Sequence, residues 1–382
     1  MRYNLITVVW GDEYTGLFAD IVMPNLLSPG NLYALGKGSS VVYRIYTTAK
    51  GAQRIKGSVS FLAIAAKLEH EFNIIEEKDF ANKYSIMSRC HKMALNAIGD
   101  KEELIIFLPP DAILSEGSLV NAIDVFKSGK RAVMIAGLRV AKDTFLPEFL
   151  AKFSNNGVMM PVSSRELFKL AFKHLHPISK TFFWDSKTFY NAPSHIFFNV
   201  PEEGILARCF HLHPILINSL NSADKFTTTI DGDYIRDACP DIDDIYIMSD
   251  SDKFLSIEMS SLSMQVDAGS RPANPLNIAA FAKYSTTGHN RSFIRNKIRF
   301  HFDDISSRWT EVERLSDESI DRIFYWFKFE PLLIWPYGIA VKMKYFARSV
   351  VKLFFGESFT KRLAQRLRSV RRGASIQRGV MN

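Results

Sequence analysis

Strand-length and helix-length patterns alternate along residues 5–136, and that alternation restricts the fold more than any single motif. Leu5 to Trp10 is a strand-like run. Tyr14 to Leu27 follows with helical spacing that Pro24 should kink or end, and Pro29-Gly30-Asn31 is a stop. Ser40 to Thr48 alternates as a second strand. Val59 to Leu68 is helical, Phe72 to Ile75 is a short strand, and Asn82 to Ile98 is a helix. Leu104 to Leu108 is an unbroken apolar run of the kind a parallel sheet buries on both faces. Gly117 to Phe126 is helical again, and Ala132 to Ala136 is the next strand. Such spacing predicts an α/β fold, Rossmann-like, with a mostly parallel sheet, helices on both faces and right-handed crossovers.

The Leu104 run stops at Pro109 and Pro110, presents Asp111, and restarts as a helix for which Ser115 is the expected N-cap. A carboxylate just past the C-terminal end of a parallel strand sits where open α/β sheets bind ligands. The plainer reading of Asp111 is a turn cap.

After Arg139 the pattern is less regular. Glu148 to Phe153 and Arg165 to His174 read as helices, and Ser194 to Asn199 and Gly204 to Asn218 hold strand-like runs. Tyr246 to Met248 and Phe254 to Met259 look like late strands. Asn274 caps an expected helix from Pro275 to Lys283, and Arg308 to Phe329 is amphipathic. The three cysteines are far apart with no CxxC pair, which argues against a disulfide framework or a thiolate zinc site. No leader peptide is expected before the first strand, and no window is apolar enough to span a bilayer.

Charge is concentrated at one end. From Val341 onward there are eleven Lys or Arg and one acid, Glu357, so the tail carries +10. The whole chain carries +8, which leaves −2 for the body. Lys344, Arg348 and Lys352 repeat at intervals of four, with Tyr345, Phe346, Leu353 and Phe354 largely on another face. This is the pattern of a helix lying in a membrane interface. The interleaved large apolar residues favour an anionic membrane surface as partner over nucleic acid.

Several groups can carry chemistry. Trp10-Gly11 leads from the first strand towards Tyr14 at a helix start, where backbone amides favour anions and an aromatic ring can stack on a base. No GxGxxG or GxxxxGK[ST] is present. Arg89, His91 and Lys92 share a helix ahead of the Asp111 strand. In Phe210-His211-Leu212-His213-Pro214 the two imidazoles would share one side of a strand, as would Asp231 and Asp233 in Asp231-Gly232-Asp233 if extended. Two acids and two histidines can hold Mn²⁺ or Mg²⁺ or bind sugar hydroxyls. The acids of Asp241 to Asp244 and of Asp250-Ser251-Asp252 read mainly as turns. His174 and His176 read as a helix C-terminal cap.

The order strand, Trp-Gly turn, strand Val41 to Thr48, helix with Arg89 and His91, and strand ending Pro-Pro-Asp resembles the GT-A glycosyltransferases. The likeness is to divergent bacterial enzymes of surface-polysaccharide assembly and runs from about Tyr3 to Asp233. In that family an acidic DxD motif after a central strand binds the divalent metal of a nucleotide-sugar. Asp111 occupies the matching position, but Pro109-Pro110-Asp111-Ala112 offers one acid, not two. The resemblance therefore implies a divalent cation at Asp111 completed by Asp233, His211 or His213. It implies a nucleotide-sugar bound by Trp10, Gly11, Tyr14, Arg89, His91, Asp111 and Arg139, and Asp231 or Asp233 as catalytic base. It further implies a lipid-linked or glycan acceptor at the cytoplasmic face of the inner membrane.

The expected organisation is a catalytic domain over 1–262, a helical extension over 263–330 and a membrane-associating tail over 331–382. Two rivals stand beside the transferase. One is a metal-dependent hydrolase using His211, His213, Asp231 and Asp233, and the other is a non-catalytic membrane-binding scaffold.

Overall fold

Buried apolar strands carry the architecture. All of Leu104–Phe107 is buried, and only Arg2 of Arg2–Val8 is partly exposed. The computed structural model describes residues 2–35, 40–76, 83–98, 103–154, 159–190, 192–218, 229–264 and 271–329. The chain divides into two compact units, 1–321 and 322–382. The expected tail helix over 331–382 lies outside the described residues. Among the described residues no helix is long and apolar enough to cross a membrane.

The strands are β1 (Arg2–Val8), β2 (Ser40–Thr47), β3 (Glu69–Ile74), β4 (Leu104–Phe107), β5 (Ala112–Leu114), β6 (Ala132–Ile135), β7 (Gly137–Ala141), β8 (His195–Val200), β9 (Gly204–Cys209), β10 (His213–Ile217), β11 (Ile245–Ile247), β12 (Ser256–Ser260) and β13 (Ile298–His301). Seven form the main sheet in the order β11-β6-β10-β4-β1-β2-β3. All of its pairings are parallel except those of β10, which runs antiparallel to both neighbours. The helix Lys83–Ile98 packs on β1, and the helix Ser118–Lys127 on β6 and β10. The expected α/β class, with a mostly parallel sheet and helices packed on it, is what the structure shows. Two three-stranded sheets, β5-β12-β7 and β13-β9-β8, complete the unit.

The strand-like run from Gly204 to Asn218 resolves into two strands in different sheets. The chain leaves β9, crosses through Phe210, His211 and Leu212, and enters the main sheet as β10. Pro214 has no amide to give, and the β10–β6 register shifts between Pro214 and Leu216. Pro24 does not end its helix. A π turn, Phe18–Val22, precedes it, and the Met23 amide donates to the Phe18 carbonyl five residues back. That wider turn accommodates a proline that an α-helical register would reject.

The N-cap of the helix Ser118–Lys127 is Gly117, in the left-handed region at φ 77°, not Ser115. Its first-turn amides are satisfied from far away in sequence. The Leu119 amide donates to Asn31 Oδ1 at 3.2 Å, and the Val120 amide to the Gly30 carbonyl at 3.1 Å. Asn31 Nδ2 donates in turn to the Ser115 carbonyl at 3.1 Å. The Pro29-Gly30-Asn31 stop is thus the cap of a helix about 90 positions later, which local capping rules do not reveal.

Polar groups inside the sheet fix the end of β4. Thr7 Oγ1 donates to the Leu108 carbonyl at 3.1 Å and lies 3.0 Å from the Tyr43 hydroxyl. The backbone entering Pro109-Pro110-Asp111 is therefore tied to β1 and, through Thr7, to β2.

Candidate active site

The C-terminal ends of β1, β2 and β4 lie side by side, as their parallel registers require. Beyond β1 and β2 is a cleft of about 640 Å³ lined by Trp10, Gly11, Thr48, Lys50, Gly51 and Arg54, among others. Gly11 takes φ 80° and is the N-cap of the helix Asp12–Leu17. Thr48 caps the helix Ala49–Lys56 by accepting from the Gly51 amide at 3.0 Å. Lys50 Nζ pairs with Asp12 Oδ2 at 2.6 Å, an exposed pair of small energetic worth.

Beyond β4 the charges converge. Burial raises the Tyr14 hydroxyl pKa, Asp111 and Glu13 add to the rise, and Lys142 and Arg139 oppose it. These side chains therefore share one local field, and Lys142 also pairs with Glu13. Arg139 lies in β7. Its register partner in β12 is Glu258, and Glu258 also pairs with Ala112 of β5, next to Asp111. Arg139 Nη2 donates to Glu258 Oε2 at 2.9 Å, and the Met259 amide donates to the Asp111 carbonyl at 2.9 Å. Burial works against the Glu258 carboxylate, yet the Arg139 guanidinium, with His195 and His213 nearby, leaves its pKa below the ordinary glutamate value.

His195 and His213 lie near Glu258, with His211 near His195 and His91 near His213. Burial drives His195 down to about 4, against the pull of Glu258, and burial also lowers His211, against Asp231. His91 is driven to about 3 by burial and by His213, and its ring meets the Phe107 ring edge-on at 5.2 Å. His91 Nδ1 is buried with no hydrogen-bond partner among the described residues. His213 Nε2 donates to the Phe107 carbonyl at 3.0 Å.

The structure thus brings Tyr14, Asp111 and Arg139 together and puts Trp10 and Gly11 in the cleft over the neighbouring strand ends. His91 feels the charge of His213, and His211 that of Asp231. Arg89 is exposed, two positions from buried His91 and so on the opposite side of the helix. Asp231 and Asp233 do not share a strand face, because Ile230–Tyr234 is a kinked helical turn. Asp233 is buried and faces Arg236 electrostatically, while Asp231 faces His211. Gly232, at φ −100° and ψ −112°, makes the kink that separates them. His174 is the C-cap residue of the helix Ser164–Lys173, its amide donating to the Ala171 carbonyl, but no imidazole caps the last carbonyls, and His176 is the N-cap of the next helix. His174 bonds to Glu148 and Thr144, and His176 Nδ1 accepts from the Ile178 amide at the start of the next helix.

The expected metal set of Asp111, His211 and His213 is not assembled. Among the described residues, the set whose ligand atoms gather within 4.8 Å is Asp250, Asp252 and His301. His213 also spends Nε2 on the Phe107 carbonyl. The Asp250 set can hold a metal ion only by giving up existing partners. Arg165 forks onto Asp252, with Nη2 to Oδ2 at 2.8 Å, and His301 Nε2 and Nδ1 bond to Asp250 Oδ1 at 2.9 Å and to the Asp303 carbonyl at 2.6 Å.

Two donating ring nitrogens require an imidazolium. Burial lowers the His301 pKa, but Asp250, the Asp303 carbonyl and Asp252 outweigh it, and the net shift is upward. A raised folded-state pKa contributes stability that is complete below the unfolded value, about 6.5, and is lost as pH rises through the folded value. His301→Gln is therefore expected to destabilise the protein more at about pH 5.5 than at about pH 8.5. Melting temperatures of both proteins across that range test this. A gap that does not narrow with rising pH contradicts the imidazolium.

Sequence reasoning missed Glu258, His195 and Lys142. One signal was available: Glu258 is the single charge in Ser256-Ile257-Glu258-Met259-Ser260, and a lone acid in a core strand needs a partner.

No protein-family model and no curated sequence matches this chain. Among solved structures it is similar to a protein assigned as a glucose-1-phosphate thymidylyltransferase from Bacillus anthracis, in complex with a sucrose, at 13% identity and a TM-score of 0.23, over 37% of this chain and 57% of that one. It is also similar to mouse xyloside xylosyltransferase 1 in its apo form, at 11% identity and a TM-score of 0.24, over 40% of this chain and 56% of that one. The chain thus spans a little over half the length of each.

Proposed function

We propose that this chain is a glycosyltransferase that moves a sugar from a nucleotide-sugar to a lipid-linked or glycan acceptor in bacterial cell-surface glycan synthesis. One observation carries the reading. Asp111, just past the end of a central parallel strand, shares its field with Tyr14, Arg139 and Lys142 and lies beside a cleft containing Trp10. Open parallel sheets bind ligands at that edge.

In this reading the nucleoside occupies the cleft beyond β1 and β2, with the base on Trp10. The diphosphate extends towards Arg139 and Lys142, whose charge stabilises it as it leaves. A divalent cation bound with the diphosphate would supply further charge stabilisation, and Asp111 would be its carboxylate ligand. The basic tail holds the enzyme at the cytoplasmic face of an anionic membrane, where a lipid-linked acceptor resides.

Thermal-shift measurements with UDP, GDP, CMP and their sugars, with and without Mn²⁺, test the reading. One nucleotide class is expected to raise the melting temperature, by roughly 2.7 kcal/mol of stabilisation at a hundredfold excess over its dissociation constant. Trp10→Ala should weaken that response by about 1–3 kcal/mol if a base stacks there. No response to any nucleotide would sink the proposal.

A further inference from the structure

We propose that Glu258, rather than Asp231 or Asp233, is the catalytic base that takes the proton of the acceptor hydroxyl. This rests on the transferase reading and assigns the acceptor side of the same site.

The other candidate acids have partners or burial of their own. Glu13 pairs with Lys142, Asp12 with Lys50, Asp231 faces His211, and Asp233 is buried. Three features of Glu258 suit it to the role. Its backbone is clamped on both sides, by β5 at Ala112 and by β7 at Arg139, so its position is fixed relative to Asp111. Its side chain is about 30% accessible, which leaves it open to a ligand. Its two oxygens have different surroundings. Oε2 accepts from Arg139, while Oε1 lies over Gly137, where a Cβ would come within 2.5 Å of it. Glycine at 137 is what gives the carboxylate room.

Arg139 links the two halves of the reaction. It faces the leaving diphosphate and also keeps Glu258 ionised. In the step itself the acceptor oxygen forms a bond to the sugar C1 as the C1–O bond to the diphosphate breaks. The leaving nucleotide departs with that electron pair, and the acceptor proton passes to Glu258 Oε1. One displacement of this kind inverts the anomeric centre.

The test uses the full chain and measures nucleotide release from UDP-, GDP- and CMP-sugars with water or methyl glycosides as acceptor. Nucleotide-induced thermal shifts run in parallel. Glu258→Gln is expected to lower turnover by roughly 10²–10⁴-fold while keeping the thermal shift, because a positioned base contributes that much. The acid limb of the wild-type pH–rate profile should disappear with it, which a purely structural role would not produce. Glu258→Asp should retain part of the rate. Should Glu258→Gln fail to fold, Gly137→Ala supplies the same test, because its methyl displaces the carboxylate and should cut turnover at least tenfold.

If no nucleotide binds and no donor turns over in the wild type, the transferase reading falls and takes this proposal with it. If nucleotides bind and donors turn over but Glu258→Gln stays within tenfold of wild type, this proposal alone falls. Binding without turnover of any donor also contradicts it.

Discussion

Gly30→Ala is expected to destabilise the folded protein by roughly 3 kcal/mol, from overpacking plus the cost of left-handed backbone. Gly30 takes φ +71°, and a Cβ there would lie 2.5 Å from Gly117 Cα and 2.8 Å from Gly117 N. Both contacts are to backbone, so no rotamer change relieves them. The clash falls where the Gly117 amide donates to the Pro29 carbonyl at 3.0 Å and the Val120 amide to the Gly30 carbonyl at 3.1 Å. Moving the loop would uncap the helix Ser118–Lys127. Gly117→Ala is the informative comparison. Gly117 is also left-handed, at φ +77°, but a Cβ there meets only Asn121 Nδ2 at 3.7 Å. That variant should lose only about 1–2 kcal/mol, the backbone cost alone. Urea midpoints of the two variants decide the matter. Equal losses would show that the close approach of the two glycines is energetically unimportant.

Deleting residues 341–382 is expected to release the protein from anionic vesicles. The segment carries eleven basic residues and one acid, and each basic residue near an anionic surface contributes about 1 kcal/mol. Even a third of that sum would change partitioning by more than about a hundredfold. Sedimentation with phosphatidylglycerol vesicles should therefore bring down the full chain and leave the truncated chain in solution. Raising the salt should weaken full-chain binding, because exposed charges are screened. Binding that survives the deletion would place the membrane contact elsewhere.

Most of the parallel frame was legible from local pattern. Leu104–Phe107 reads as a doubly buried strand, Asn274 reads as a cap, and both occur as read. The failures share a cause. Ser115 lost the capping position to Gly117 because Asn31 reaches across the fold to the same amides. Asp231 and Asp233 would share a side only if extended, and Gly232 turns the chain there instead. His211 and His213 were read as one strand face because nothing local marks the change of sheet between β9 and β10.

The site was legible at its donor end and hidden at its acceptor end. Asp111 and Trp10 announce themselves by following strand runs. Glu258 meets Arg139 only through the pairing of β12 with β7, 119 residues apart, and Ala112 only through β5. Pairings of that range are a property of the topology and leave no local signature.

The most direct measurement is the structure of the full chain with the nucleotide that stabilises it best. The base is expected against Trp10 in the cleft beyond β1 and β2, and the diphosphate beside Asp111, Arg139 and Lys142. A nucleotide seated away from these residues, at Asp250, Asp252 and His301 for example, would contradict it.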